Sequence, residues 1–381
     1  MRVALTGATG FLGLRLLDQL LRRHRSVTVL ARGEPDHVLD RLTRGLGRFA
    51  AGHTAAGLAA RVRVVPVRLA EDNLGLTGGA HRELGDSLDV VWHCAGNTTL
   101  DGDPAVLRRV NVEGTRQVLG LAAAGRRLPA VFHISTAFVA GARRTGTVFE
   151  DELTDAYGFE GSYERSKYEA ERLVHAWARE TGRPAVIFRP SVLTTGLPPH
   201  PDLPEHPLLN IERALTGIGR EHFGAGRRPE LLLPGQRRFR LVGRPDGQLN
   251  LLPVERAAAV MTRLAELPQG EGVQTYHIVH GRDTPVDVLR SLAERLAGVP
   301  VTIVPELTDP TPYESLTDCV GGVFRYLRQR RRYDDSRVRA ALGPPGIPQD
   351  IGVDYLMAGL LPRALDLPDP RPDPRPEGTD R

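Results

Sequence analysis

The stretch VALTGATGFLG, Val3–Gly13, constrains the fold of this chain more than any other. An apolar run breaks on glycine and passes at once into FLGLRLLDQLLRR, whose leucines recur at helical spacing. A strand, a tight turn and a helix in immediate succession form the first half of a βαβ unit. Gly7 and Gly10 let the backbone turn sharply and come close to a pyrophosphate, which the free N–H groups and positive end of the helix would hold. Gly13 suits close packing of helix on strand. In this context, the glycine triplet predicts a dinucleotide site.

The same alternation continues. SVTVLAR, VRVVPV, DVVWHCAG, AVFHISTAFVAG and PAVIFRPSVLTTG read as strands, separated by helical patterns such as AVLRRVNVEGTRQVLGLAAAG and YERSKYEAERLVHAWARETG. Strands alternating with amphipathic helices imply an α/β fold, a doubly wound parallel sheet of Rossmann type. LPPHPDLPEHP interrupts the pattern after Gly196. The expected division is a dinucleotide-binding domain over 1–200, with 249–268 returning to it. A smaller, mainly C-terminal substrate-binding region takes 201–248 and 269–365, and the proline- and charge-rich residues 366–381 form a disordered tail.

The end of the second strand bears on which dinucleotide. An acid there would meet a ribose 2′-hydroxyl, but VTVLARGE places Arg32 at the tip. A cation suits a 2′-phosphate, so the expected cofactor is NADPH.

Bulk composition excludes several classes. Aromatic residues make up 5% and the net charge is +4, with arginines spread along the chain, so no nucleic-acid footprint is expected. Cys94 and Cys319 stand far apart and carry neither a disulfide framework nor metal-ligand spacing. No basic leader with an apolar run opens the sequence and no stretch approaches a membrane span, so a soluble, cytoplasmic protein is the expectation.

One cation is unlike the rest. Of 50 Lys+Arg residues, 49 are arginine, and the single lysine is Lys167 in GSYERSKYEA. A compact ammonium on a slim stem fits where a planar guanidinium does not. Tyr163 lies four residues earlier, one turn away on the same helix face. An ammonium near a phenol lowers its pKa and makes it a usable acid or base. Upstream, FHISTAFVAG ends a buried strand on Ser135 and Thr136, where one hydroxyl could bond a substrate carbonyl. Asn111 sits within a helical pattern, an unfavourable place for asparagine, where it either caps or satisfies the core or holds a relay water.

Taken together, TGATGFLG, NVEGT, STAFVAG and YERSK resemble the extended short-chain dehydrogenase/reductase superfamily, from residue 1 to about 265. The resemblance implies Tyr163 as proton donor, Lys167 as its partner and ribose ligand, Thr136 as carbonyl-orienting hydroxyl and Asn111 as holder of a relay water. It implies a cofactor set of Gly7, Thr9, Gly10, Phe11, Leu12, Gly13, Arg32, Ala95, Gly96, Pro190 and Ser191, together with Tyr163 and Lys167, and no metal. The long link ARGEPDHVLDRLTRGLGRF, NLLPVERAAAV and the late FRYLRQRRRYDDSRVRAALG are similar to the thioester reductase and fatty acyl-CoA reductase branch, which has a male sterility-type NAD-binding domain. That branch implies reduction of a carrier- or CoA-bound acyl group. Relatives carry GDL after the third strand, whereas this chain has Arg68 in place of the aspartate. A ketoreductase, an epimerase- or dehydratase-type enzyme on a small metabolite, and a non-catalytic NADP sensor are the alternatives on the same scaffold. Arg227, Arg228, Arg237, Arg238 and Arg240 form either a solvated face or a surface for CoA phosphates or an acidic carrier protein.

Overall fold

Six of the seven strands in the central sheet fall where the apolar runs lie, and the seventh comes from outside the expected first domain. A computed structural model of the chain describes residues 1–50, 52–209, 239–298, 300–311, 314–315, 322–344 and 349–361. The strands are β1 (Val3–Thr6), β2 (Val27–Ala31), β3 (Val62–Pro66), β4 (Val90–His93), β5 (Ala130–Ile134), β6 (Ala185–Pro190) and β7 (Val273–Ile278). They run parallel in the order β7-β6-β5-β4-β1-β2-β3. Strand order reverses between β1 and β4, so the carboxyl ends of these two strands open a crevice at the switch point.

Strand β7 corrects the boundary read from the sequence, which put residues 269–278 in the substrate-binding region. It pairs with β6 from Val273 opposite Ala185 to Ile278 opposite Pro190. Strand β6 is buried at every position. Without β7 it would leave a row of buried N–H and C=O groups unpaired, which is why the chain returns this far downstream.

Helices cover both faces. On one, the leucines of α1 (Phe11–Arg23) pack with Ala257, Ala258, Met261 and Leu264 against Trp92, Phe132 and Phe188 of the sheet. Trp92 and Phe188 stack with ring centroids 5.6 Å apart. The other face carries α2 (Gly114–Ala124) and α3 (Ser162–Thr181), burying Val118, Leu121, Val174 and Trp177. A separate apolar cluster joins Leu241, Leu249, Val286, Tyr326, Leu327 and Leu356 of the later chain to Phe138 and Tyr163. Tyr163 therefore lies on the seam between the sheet domain and the later residues. The proline-rich segment is pinned to the first domain, where Asp202 accepts from Arg48 at 2.7 Å and pairs with Arg44.

Candidate active site

The glycine turn is built as tightly as its spacing predicts. Gly7 has φ +74°, and a Cβ there would sit 2.6 Å from the Ala95 nitrogen at the end of β4. A Cβ on Gly13 would run into the Gly7 carbonyl oxygen, and the Gly10 N–H donates to that same oxygen at 2.9 Å. No side chain caps the start of α1 and its first turn holds no acid. Thr9 and Phe11 are half-buried beside this turn, Gly10 is exposed and Leu12 is buried. These bare N–H groups at a helix start suit an anion.

Further observations fit a dinucleotide across the crevice. Arg32 is exposed just past β2 and makes no hydrogen bond or ion pair among the described residues. The Ser191 hydroxyl, just past β6 and Pro190, is buried with no partner. Arg68 occupies the corresponding place after β3, where its Nε donates to Glu71 at 2.5 Å and its loop closes through the Arg68 N–H to the Leu74 carbonyl.

Tyr163, Lys167, Thr136 and Asn111 converge at the carboxyl ends of β4 and β5. Tyr163 and Lys167 sit one turn apart on α3, both buried. The Thr136 hydroxyl lies beside the Tyr163 phenol. Lys167 Nζ donates to the Ile134 carbonyl at 2.7 Å, so its ammonium is held against the end of β5. Burial lowers the Lys167 pKa to about 8. The expected lowering of the Tyr163 pKa is not what the geometry gives. Burial pushes it up to about 12, the Thr136 hydroxyl opposing and Glu164 adding to the rise. At neutral pH the phenol is therefore protonated.

Asn111 lies in a π-helical turn, Arg108–Glu113, that interrupts the expected regular helix just before α2. Its amide is fully donated, to the Asn97 carbonyl and to Ser166 Oγ at 2.9 Å each, while its Oδ1 accepts the Asn97 N–H at 2.7 Å. Ser166 in turn donates to the Tyr163 carbonyl at 2.7 Å. Asn111 thereby ties the loop after Gly96 to α3. A Cβ on Gly96 would lie 3.1 Å from Asn111 Oδ1, which leaves little room for any other residue.

Several site-forming residues escaped the sequence reading. Ser135, a candidate carbonyl ligand, instead donates to Glu171 at 2.6 Å. Glu171 is fully buried and grips Arg189 of β6 through Nε at 3.0 Å and Nη2. This ion pair joins the ends of β5 and β6 to α3, one turn beyond Lys167. The available signals were an acid four residues after the lysine and a charge inside the apolar run AVIFRP. His93, buried on β4, is the other omission.

Of the arginines singled out downstream, Arg227, Arg228, Arg237 and Arg238 lie outside the described residues, as do Cys319 and the tail at 366–381. Arg240 is engaged by Glu314 at 2.8 Å and by the carbonyls of Thr308 and Asp309. Among the described residues there is no group of His, Cys, Asp and Glu able to hold a metal, and no helix is long and apolar enough to cross a membrane.

Burial also makes the fold acid-sensitive. It pushes His93 and His206 down to about 3, His277 to about 4, and His133 well below its ordinary value. Each is neutral in the native state but takes up a proton on unfolding below pH 6.5. The unfolded state then binds more protons, so stability falls as pH falls, by roughly 1.4 kcal/mol per histidine per pH unit. Glu150, raised to about 7 by burial, works in the opposite sense, as do Glu164, Asp283 and Asp335, which burial also raises, while His24 and His81, lowered by burial, add to the histidine side. Denaturant midpoints should therefore drop steeply from pH 7 to 5.5, and a flat profile would contradict the buried neutral histidines.

The model of the family described as Male sterility protein matches residues 5–260. The L-2-aminoadipate reductase large subunit of Eremothecium gossypii is 30% identical over 284 residues, covering 68% of this chain and 18% of that protein. The aldehyde reductase lnaA of Aspergillus flavus is 29% identical over 311 residues, covering 76% of this chain and 27% of that one. The chain thus spans well under a third of these relatives. In fold it is similar to the terminal R domain from the myxalamid PKS-NRPS biosynthetic pathway, with a TM-score of 0.72, 24% identity, and 94% and 89% of the two chains covered. A thiolation-reductase di-domain from an archaeal non-ribosomal peptide synthetase gives a TM-score of 0.65 at 17% identity, covering 94% of this chain and 74% of that one.

Proposed function

The chain belongs to the male sterility protein family of extended short-chain dehydrogenase/reductases, and from that premise we propose that it is an NADPH-dependent reductase of acyl thioesters carried on CoA or on a carrier protein. The observation that carries the reading is the meeting of a protonated, buried Tyr163 with Thr136, Lys167 and a bare, glycine-lined helix start in one crevice.

NADPH, when bound, supplies the hydride. Gly7, Thr9, Gly10, Phe11, Leu12 and Gly13 would hold its pyrophosphate end with Ala95 and Gly96 beside them, Arg32 its 2′-phosphate, and Pro190 and Ser191 would line the nicotinamide end. Thr136 orients the thioester carbonyl by hydrogen bonding to its oxygen. Tyr163 would give that oxygen its proton, and with the hydride that NADPH would supply to the carbon, the product is a hemithioacetal. Loss of the thiol then yields the aldehyde, so one hydride and one proton account for the products. Lys167 holds the ribose hydroxyls and favours return of a proton to Tyr163. Asn111 keeps the loop and helix in register and has a spare acceptor on Oδ1 for a relay water.

Arg32→Asp should erase or reverse the preference for NADPH over NADH, because an acid repels the 2′-phosphate and accepts from a 2′-hydroxyl. Tighter binding of NADH by the unaltered protein would refute the assignment. For the substrate, NADPH oxidation should be followed with an acyl-CoA, an acyl-carrier thioester, a free aldehyde and a simple ketone. Turnover of a thioester is expected; turnover of the ketone alone would make the protein a ketoreductase.

A further inference from the structure

We propose that His93 is a positioning residue, fixed in a single neutral tautomer, that holds the Cys94–Ala95 backbone and Asn111 in place through one continuous hydrogen-bond chain. The proposal rests on the reading of this crevice as an NADPH-dependent site. Thr6, His93 and Thr115 are each no more than 2% exposed, so water cannot substitute for a missing partner. Thr6 and His93 stand opposite each other on β1 and β4, and His133 is opposite His93 on β5.

The direction of every bond follows from counting protons. The Thr115 hydroxyl is 2.6 Å from the Asn111 carbonyl, which can only accept, so the single hydroxyl proton goes there. Thr115 Oγ1 must then accept at 3.1 Å from His93 Nε2–H. A neutral imidazole with its proton on Nε2 has a bare Nδ1, and this accepts the Thr6 hydroxyl at 2.9 Å. Thr6 Oγ1, its proton spent, accepts the Cys94 and Ala95 N–H groups at 3.1 Å each. An Nδ1-protonated ring would set its bare Nε2 against the Thr115 oxygen, whose proton is already given to Asn111, and would leave the Thr6 hydroxyl without this acceptor. Burial, and beside it the Lys167 ammonium, oppose a positive charge on this imidazole and take its pKa to about 3, while the His133 ring lies against it with centroids 5.4 Å apart.

The chain ends on two functional segments. At one end are the Cys94 and Ala95 amides, against which Gly7 packs. At the other is Asn111, which continues through Ser166 to the Tyr163 carbonyl. His93 touches neither substrate nor cofactor; it sets the spacing between the cofactor loop and the acid. A displacement of about 1 Å in such a site costs up to about 100-fold in rate.

Two measurements test this. In protein labelled with 15N-histidine at pH 7 without cofactor, His93 should give the neutral, Nε2-protonated signature. An Nδ1-protonated or imidazolium signature would overturn the chain, whatever the enzyme's substrate. In kinetics, His93→Phe should raise the KM for NADPH about tenfold and lower kcat by about 10–100-fold, with His93→Gln, which can still donate towards Thr115, recovering most of both. Thr115→Val should reproduce part of the loss and add little to His93→Phe, since both cut one chain. Unaltered KM and kcat in His93→Phe, beside an inactive Tyr163→Phe, would sink the inference and leave the catalytic reading standing. A fully active Tyr163→Phe would sink that reading, while the tautomer measurement still decides the chain. Should His93→Phe not fold, unaltered kinetics in Thr115→Val would count against the proposal.

Discussion

Tyr163→Phe should lose NADPH-dependent reduction by about three orders of magnitude while binding the cofactor with little change. General acid catalysis contributes about 10²–10⁴-fold, and the phenol is the buried acid that Thr136 contacts. The ring stays because it packs with Phe138, Leu107 and Tyr326 in the apolar cluster at the seam, so the variant should fold. Stopped-flow reduction alongside fluorescence titration with NADPH separates the two effects. Activity close to that of the unaltered protein would place the acid elsewhere.

The second large effect concerns the lone lysine. Lys167→Arg should be nearly as damaging as Lys167→Ala, with turnover down by about 10²–10³-fold in both. The ammonium is buried and lies 2.7 Å from the Ile134 carbonyl. Cys94 and Glu171 act on it, and it lies close enough to His93 and His133 to act on them in turn. A guanidinium carries the same charge, but its planar fork cannot enter that space without displacing β5 or the Cys94 loop. Circular dichroism should show both variants folded. Full activity in Lys167→Arg would mean that the single lysine reflects nothing about the site.

Much of this was legible in the residues. The glycine turn, the alternation of strands and helices, and the Tyr163–Lys167 spacing are local patterns, each set by a few consecutive positions. Arg32 was legible because its place, the tip of β2, follows from strand length. The seventh strand was expected in the other region because a strand's partner is a long-range fact: nothing in VQTYHI says that it pairs with AVIFRP, 88 residues earlier. The Tyr163 pKa was misjudged for a related reason. Helical spacing puts Lys167 on the same face, but which atom the ammonium meets depends on where β5 ends.

The sequence by itself determined the doubly wound α/β class, the dinucleotide turn and the residue types able to give a proton, because periodicity and backbone sterics act over short stretches. Only the tertiary structure decided which buried polar groups face each other. It made Ser135 a partner of Glu171 rather than of substrate, turned Asn111 inward on a π-helical turn, and joined Thr6, His93 and Thr115 into one chain. A buried donor must find its acceptor wherever the fold brings one, and those partners lie from 22 to 87 residues apart in the chain, so no local pattern can announce them.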